Sequence, residues 1–170
     1  MKFTTKIVIL FITIFTTSLA VAQEKKPASP AATATGIING STITINYSSP
    51  FVRGRAIYGE LVAYGKIWRA GANDATTFET SKAIKVEGKE LPAGKYAFFV
   101  IPEKDGNATV IFNKEAKQWG EYKYDEAKDA LRVSIKTKKS SKLTESLLYT
   151  VGKNNVTLSW ENVEFPINIK

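Results

Sequence analysis

The chain is 170 residues long, carries a formal charge of +8, and contains neither histidine nor cysteine. Their absence excludes disulfides, the commonest zinc ligands, and the Ser-His-Asp and Cys-His nucleophile systems as usually built. Any catalysis would have to run on carboxylates, lysines or tyrosines, and nothing in the sequence asks for a cofactor or a metal.

At the N-terminus, Lys2 and Lys6 accompany the apolar run Ile7 to Phe15, and Ala20-Val21-Ala22 follows as a small-x-small pattern. That order predicts a signal peptide over residues 1–22, cleaved before Gln23. The apolar core is shorter than the roughly 20 residues of a permanent span, so no integral membrane anchor is expected after cleavage. With no cysteine for a diacyl anchor, the expected location is periplasmic or extracellular, most simply a bacterial periplasm. Residues 23–35, QEKKPASPAATAT, have little to bury and read as a disordered linker. Residues 36–170 then form a single domain, held by its apolar core alone. The lysines are scattered, except around Lys136, Lys138, Lys139 and Lys142, which read as a solvated hairpin tip. No nucleic-acid partner is expected at an exported address.

Strand signals fill the domain. Asn39-Gly40 is a two-residue hairpin signal, and Thr42 to Tyr47 alternates polar with apolar residues. Thr76 to Val86 reads as a broken strand ending at the turn Glu87-Gly88-Lys89. Leu91-Pro92-Ala93-Gly94 turns again into Lys95 to Ile101, apolar on both faces and so expected at the centre of a packed sheet. Ala108 to Phe112, Leu131 to Lys136, Leu147 to Val151, Val156 to Glu161 and Val163 to Ile169 follow, with a polar turn at Gly152 to Asn155. About eight or more short strands between turn residues predict an all-β fold, an antiparallel β-sandwich or flattened barrel. Short helical turns are expected at Tyr58–Ala63 and Asp125–Ala130.

Three segments carry the candidate chemistry. Arg53-Gly54-Arg55 suits forked hydrogen bonding to a carboxylate or phosphate, or ordinary pairing with Glu60 and Asp74. In YGKIWRAGANDATTF, Trp68 and Arg69 offer a stacking surface beside a charged donor, and Asn73 a means of orientation. The other reading makes Trp68 core, Arg69 a structural partner for a carboxylate, and Asn73 or Asp74 a turn former. In QWGEYKYD, Trp119, Tyr122 and Tyr124 form either a concave aromatic patch for a glycan or a lid on one end of the sandwich. Asp74 and Glu79 are the weak candidates for a catalytic carboxylate pair.

The run RGRAIYGELVAYGKIWRAGANDATTFETSKAIKVEGKELPAGKYAFFVIP resembles the domain of unknown function 2911, a family of secreted bacterial proteins. So do VIFNKEAKQWGEYKYDEAKDALRV and LSWENVEFPI, with WRAGAND, LPAGKY and KQWGEYKY in the family's order from about Thr42 to Ile169. Ala63 departs from an expected proline, and Phe99 from a more usual Leu-Phe-Thr pattern. The resemblance implies a β-rich secreted domain and points at Arg53, Arg55, Trp68, Arg69, Asn73 and Trp119 without assigning roles, because the family has no established activity.

The leading expectation is a periplasmic binding or accessory module for a polar or anionic small molecule or a carbohydrate. The alternatives are a metal-free carboxylate hydrolase and a structural envelope protein that docks a partner through its aromatic patch.

Overall fold

A computed structural model describes residues 27–170. The expected signal peptide and the first part of the expected linker lie outside the described residues. Among the described residues ten strands run in order: β1 (Ala31–Ile38), β2 (Ser41–Ser48), β3 (Thr77–Thr80), β4 (Ile84–Val86), β5 (Lys89–Leu91), β6 (Gly94–Pro102), β7 (Asn107–Asn113), β8 (Asp129–Lys136), β9 (Lys138–Val151) and β10 (Asn155–Asn168). The fold is all-β. An antiparallel six-stranded sheet has the order β1-β2-β3-β6-β7-β8. A second layer packs on it, built from the long β9–β10 hairpin. Phe51 bridges β9 on one side of that layer, and Val86 of the β4–β5 hairpin bridges Ile169 on the other. Among the described residues no helix is long and apolar enough to cross a membrane.

Period-two alternation decides what lies between the layers. Ile43, Ile45 and Tyr47 of β2, Phe78 of β3, Phe98 and Val100 of β6 and Phe112 of β7 face Leu147, Tyr149, Leu158, Trp160 and Phe165. The opposite face of the large sheet is also covered, which explains the unbroken apolar run of β6. Ala97, Phe99 and Ile111 form a second small core with Ala75, closed by Ile67 and by Tyr124, whose ring meets Phe99 edge-on at 5.2 Å. The loops around residues 64–76 and 114–128 thus serve as that covering layer.

Asn39 and Gly40 both take left-handed backbone, at φ 49° and 74°, as the tight β1–β2 turn requires. Four expectations need correction. Ala31 to Thr35 are not linker but the start of β1, paired in register from Ala31 with Ser48 to Thr35 with Thr44. An edge strand needs backbone hydrogen bonds more than bulk, and alternate small residues, Ala32 and Ala34, reach the core. No helical turn forms at Tyr58–Ala63. Gly59 at φ 94° turns the chain back so that its N–H bonds the Val62 carbonyl. Near Asp125–Ala130 a 3-10 turn does form, at Glu126–Lys128, capped by the Asp125 side chain. The lysines around 136–139 are not a hairpin tip, since β8 and β9 belong to different sheets and Thr137 is the corner between them. Finally, residues 155–168 are one strand rather than two, kinked by register shifts around Glu161 at φ 56°.

Candidate functional site

Trp68 is fixed by backbone. It exchanges two N–H···O bonds of 2.9 Å with Val100, so it continues the edge of β3 alongside β6. Between Trp68 and Thr76 the chain makes an excursion, closed at its base where the Thr76 N–H donates to the Arg69 carbonyl. Inside this loop Ala70 is fully buried at φ 52°, a region costly for a residue with a Cβ. Two buried hydroxyls hold it there. Thr76 Oγ1 and Tyr149 Oη donate to the Ala70 carbonyl at 3.0 and 2.8 Å. Burial pushes the Tyr149 hydroxyl well above its ordinary pKa, so it remains a donor. Gly71 follows because any Cβ there would stand 2.8 Å from Thr76 Oγ1 and 3.1 Å from the Ser48 carbonyl. Asn73, at φ 61°, donates from its amide to Ser48 Oγ.

Arg69 ties this loop to the segment at 119–122. Its Nε lies 2.9 Å from Glu121 Oε2, its Nη1 donates to the Asn73 carbonyl at 2.9 Å, and its guanidinium lies 5.8 Å from the Tyr122 ring centre. The Glu121 Oε2 contact is close enough for an ion pair but not aligned as a hydrogen bond.

Beside this clamp opens a cleft of about 410 Å³. At its base the Trp68 and Trp160 indoles stack, 5.8 Å apart and 18° from parallel, and both side chains are buried. Trp160 Nε1 is buried with no hydrogen-bond partner among the described residues. Around the indoles stand Arg55, Lys66, Arg69 and Asn73, with Glu121 the single carboxylate of the lining. Arg55 is anchored at one edge by bonds from Nε and Nη2 to the Val52 and Phe51 carbonyls. Lys66 is exposed and makes no ion pair among the described residues.

The structure therefore brings together Arg55, Trp68, Arg69 and Asn73, but neither Arg53 nor Trp119. Arg53 works as a structural tie: its N–H donates to Glu145 Oε1, its Nη2 to the Ala28 carbonyl, and its guanidinium covers Phe51. Trp119 stands in a neighbouring depression, 59 % exposed, with its backbone bridged to Asp74. Asp74 and Glu79 do not line the cleft. Asp74 borders a shallow hollow with Thr77 and Lys95, and Glu79 lies 3.8 Å from Lys95, both half exposed. Among the described residues no three carboxylates converge as a metal site.

Sequence reasoning missed Lys66, Trp160 and Tyr149. Trp160 continues the alternation of Val156 and Leu158, a pattern that marks core rather than a cleft. The pairing of Arg69 with a carboxylate was foreseen in kind, but Glu121 lies 52 positions away.

The family described as "Protein of unknown function (DUF2911)" matches residues 29–169. The chain belongs to that family. No curated protein and no solved structure matches it.

Proposed function

We infer that this member of the DUF2911 family is an exported, periplasmic binding module whose cleft takes a small organic anion. The observation that carries this reading is the lining itself. Arg55, Lys66 and Arg69 face one carboxylate, Glu121, which Arg69 already neutralises, over a base of stacked indoles. Its volume falls within the roughly 300–1,000 Å³ of small-molecule sites. Arg55 presents a guanidinium already oriented by two backbone carbonyls, so little side-chain entropy is lost on binding. Lys66 adds a mobile point charge, and Asn73 lines the same cleft with a side chain already fixed on Ser48. The apolar lining from Leu61, Ala63 and Ile67 suits the apolar body of a carboxylate ligand. Hydrolysis by two carboxylates is not favoured, because Glu121 stands alone in the lining and is paired.

The test is a thermal-shift screen of the mature domain with organic acids and their neutral amides. A carboxylate ligand at about 100 times its Kd adds about 2.7 kcal/mol of apparent stability, a shift readily seen in a domain of this size. Lys66→Ala and Arg55→Ala should each weaken the response without changing the unliganded midpoint by much. Equal shifts with acids and amides, or a flat response to the whole panel, would overturn the reading.

A further inference from the structure

A second site lies on the other side of the Arg69–Glu121 clamp. There a depression of about 430 Å³ is lined by Trp119 and Tyr122, with Lys117, Lys123 and Lys128 around them. Trp119 is 59 % and Tyr122 74 % exposed, an unusual outlay of aromatic surface in so small an area. The platform is built rather than accidental. Gly120 between the two rings adopts φ 60°, and a Cβ there would stand 3.1 Å from the Tyr122 ring and 3.0 Å from Arg69 Nη1. The Arg69 guanidinium backs the Tyr122 ring at 5.8 Å, which steadies it while leaving most of its surface open.

Positive charge predominates around the rings, with three lysines against the one carboxylate of Glu115 in the lining. Lys128 is balanced by Glu115 at 3.1 Å, but Lys117 and Lys123 make no ion pair among the described residues. Gln118 belongs to the frame of the site rather than to its open surface. It is buried, its Nε2 donates to the Glu115 carbonyl at 2.8 Å, and its Oε1 has no donor among the described residues. Exposed ring faces beside two unpaired cations match one class of partner: a sugar chain carrying carboxylates. Ring faces stack against the C–H face of a pyranose, and the lysines neutralise uronate groups. A membrane surface would ask for a broader apolar area than two rings set among polar residues.

We propose that the Trp119–Tyr122 platform, with Lys117 and Lys123, is a binding site for an acidic glycan of the oligouronate class. It is separate from the organic-anion cleft and does not depend on it. The experiment is calorimetric titration of the full mature chain with oligogalacturonate, in parallel with a neutral oligosaccharide of equal length and with anionic phospholipid vesicles. Iodide quenching supplies a second readout, since Trp68 and Trp160 are buried and Trp119 is the exposed indole.

The expected result is binding of the uronate, weakened by salt, with protection of Trp119 from iodide. Trp119→Ala and the pair Lys117→Gln, Lys123→Gln should each weaken it about tenfold or more, which corresponds to about 1.4 kcal/mol. Trp119→Phe should retain most of the affinity, and urea unfolding should show Trp119→Ala folded, as an exposed side chain predicts. Equal affinity for the neutral sugar, binding to vesicles alone, no binding at all, or an unaffected Trp119→Ala variant would each overturn the proposal.

Discussion

The Ala70 carbonyl is the point at which the fold and the cleft are most tightly joined, and a double-mutant cycle on its two donors tests that. Tyr149→Phe and Thr76→Val each delete one hydroxyl from fully buried positions while keeping side-chain volume. Each single change removes one hydrogen bond, of 2.8 or 3.0 Å, but leaves Ala70 with the other donor. The expected loss is therefore about 1 kcal/mol apiece. The double variant is different in kind. It leaves a buried carbonyl without a donor, which adds a desolvation penalty of about 1–3 kcal/mol. It also leaves the left-handed Ala70 with less to hold it. The sum is about 3–5 kcal/mol, a large share of the roughly 5–15 kcal/mol that domains possess. Urea unfolding of the four proteins measures it, with unchanged m-values as the check on two-state behaviour. Additivity within about 0.5 kcal/mol would refute the shared-acceptor argument.

Other substitutions probe the same region. Gly71→Ala should destabilise by about 1–3 kcal/mol, because the new methyl meets Thr76 Oγ1 at 2.8 Å and the Ser48 carbonyl at 3.1 Å; thermal unfolding reads this out. Arg69→Lys keeps the charge but not the fork that reaches Glu121 and the Asn73 carbonyl. Its stability loss should stay near 0.5–1 kcal/mol, since the pair is partly exposed, whereas Tyr122 should lose its backing and change its fluorescence. Alkaline pH should unfold the domain. Burial raises the Tyr58 and Tyr149 hydroxyls, so the unfolded chain loses those protons first, near its ordinary pKa of about 10. Their contribution is whole below that pH and falls above it by up to about 1.4 kcal/mol per pH unit for each group. Ultraviolet titration should show delayed tyrosinate absorbance appearing together with the loss of circular dichroism. A smooth titration near the ordinary value, with the fold intact, would contradict this.

The sheet was legible because its signals are local. Alternation in Thr42 to Tyr47, the Asn39-Gly40 turn and the doubly apolar β6 each follow from neighbours in sequence. What escaped depended on distant partners. Ala31 to Thr35 look too small to be a strand until β2 offers its backbone, and the lysines at 136–139 look like a tip until β9 joins another layer. The site shows the same division. Trp68, Arg69 and Asn73 stood out as a mixture no plain strand requires, but Trp160, Tyr149 and Glu121 reach them from other elements. Conversely, Arg53 and Arg55 share one motif and only two positions separate them. A left-handed Arg53, at φ 50°, turns its side chain toward Ala28 and Phe51, while Arg55 lines the cleft.

Bracing and ligand binding therefore need not compete for the WRAGAND segment, because its residues divide the work by direction. Ala70, Gly71 and Thr76 point their groups inward, where small size and a shared carbonyl hold the excursion against Tyr149. Trp68 and Asn73 turn toward the cleft. Arg69 does both, since the same guanidinium that lines the cleft is locked by Glu121 and supports Tyr122 in the second depression. With no cysteine in the chain, this rigidity has to come from hydrogen bonds and stacked rings rather than from a covalent tie. A cation set on so rigid a loop has little freedom to lose on meeting an anion, and that is the physical advantage a brace would bring to the proposed anion cleft.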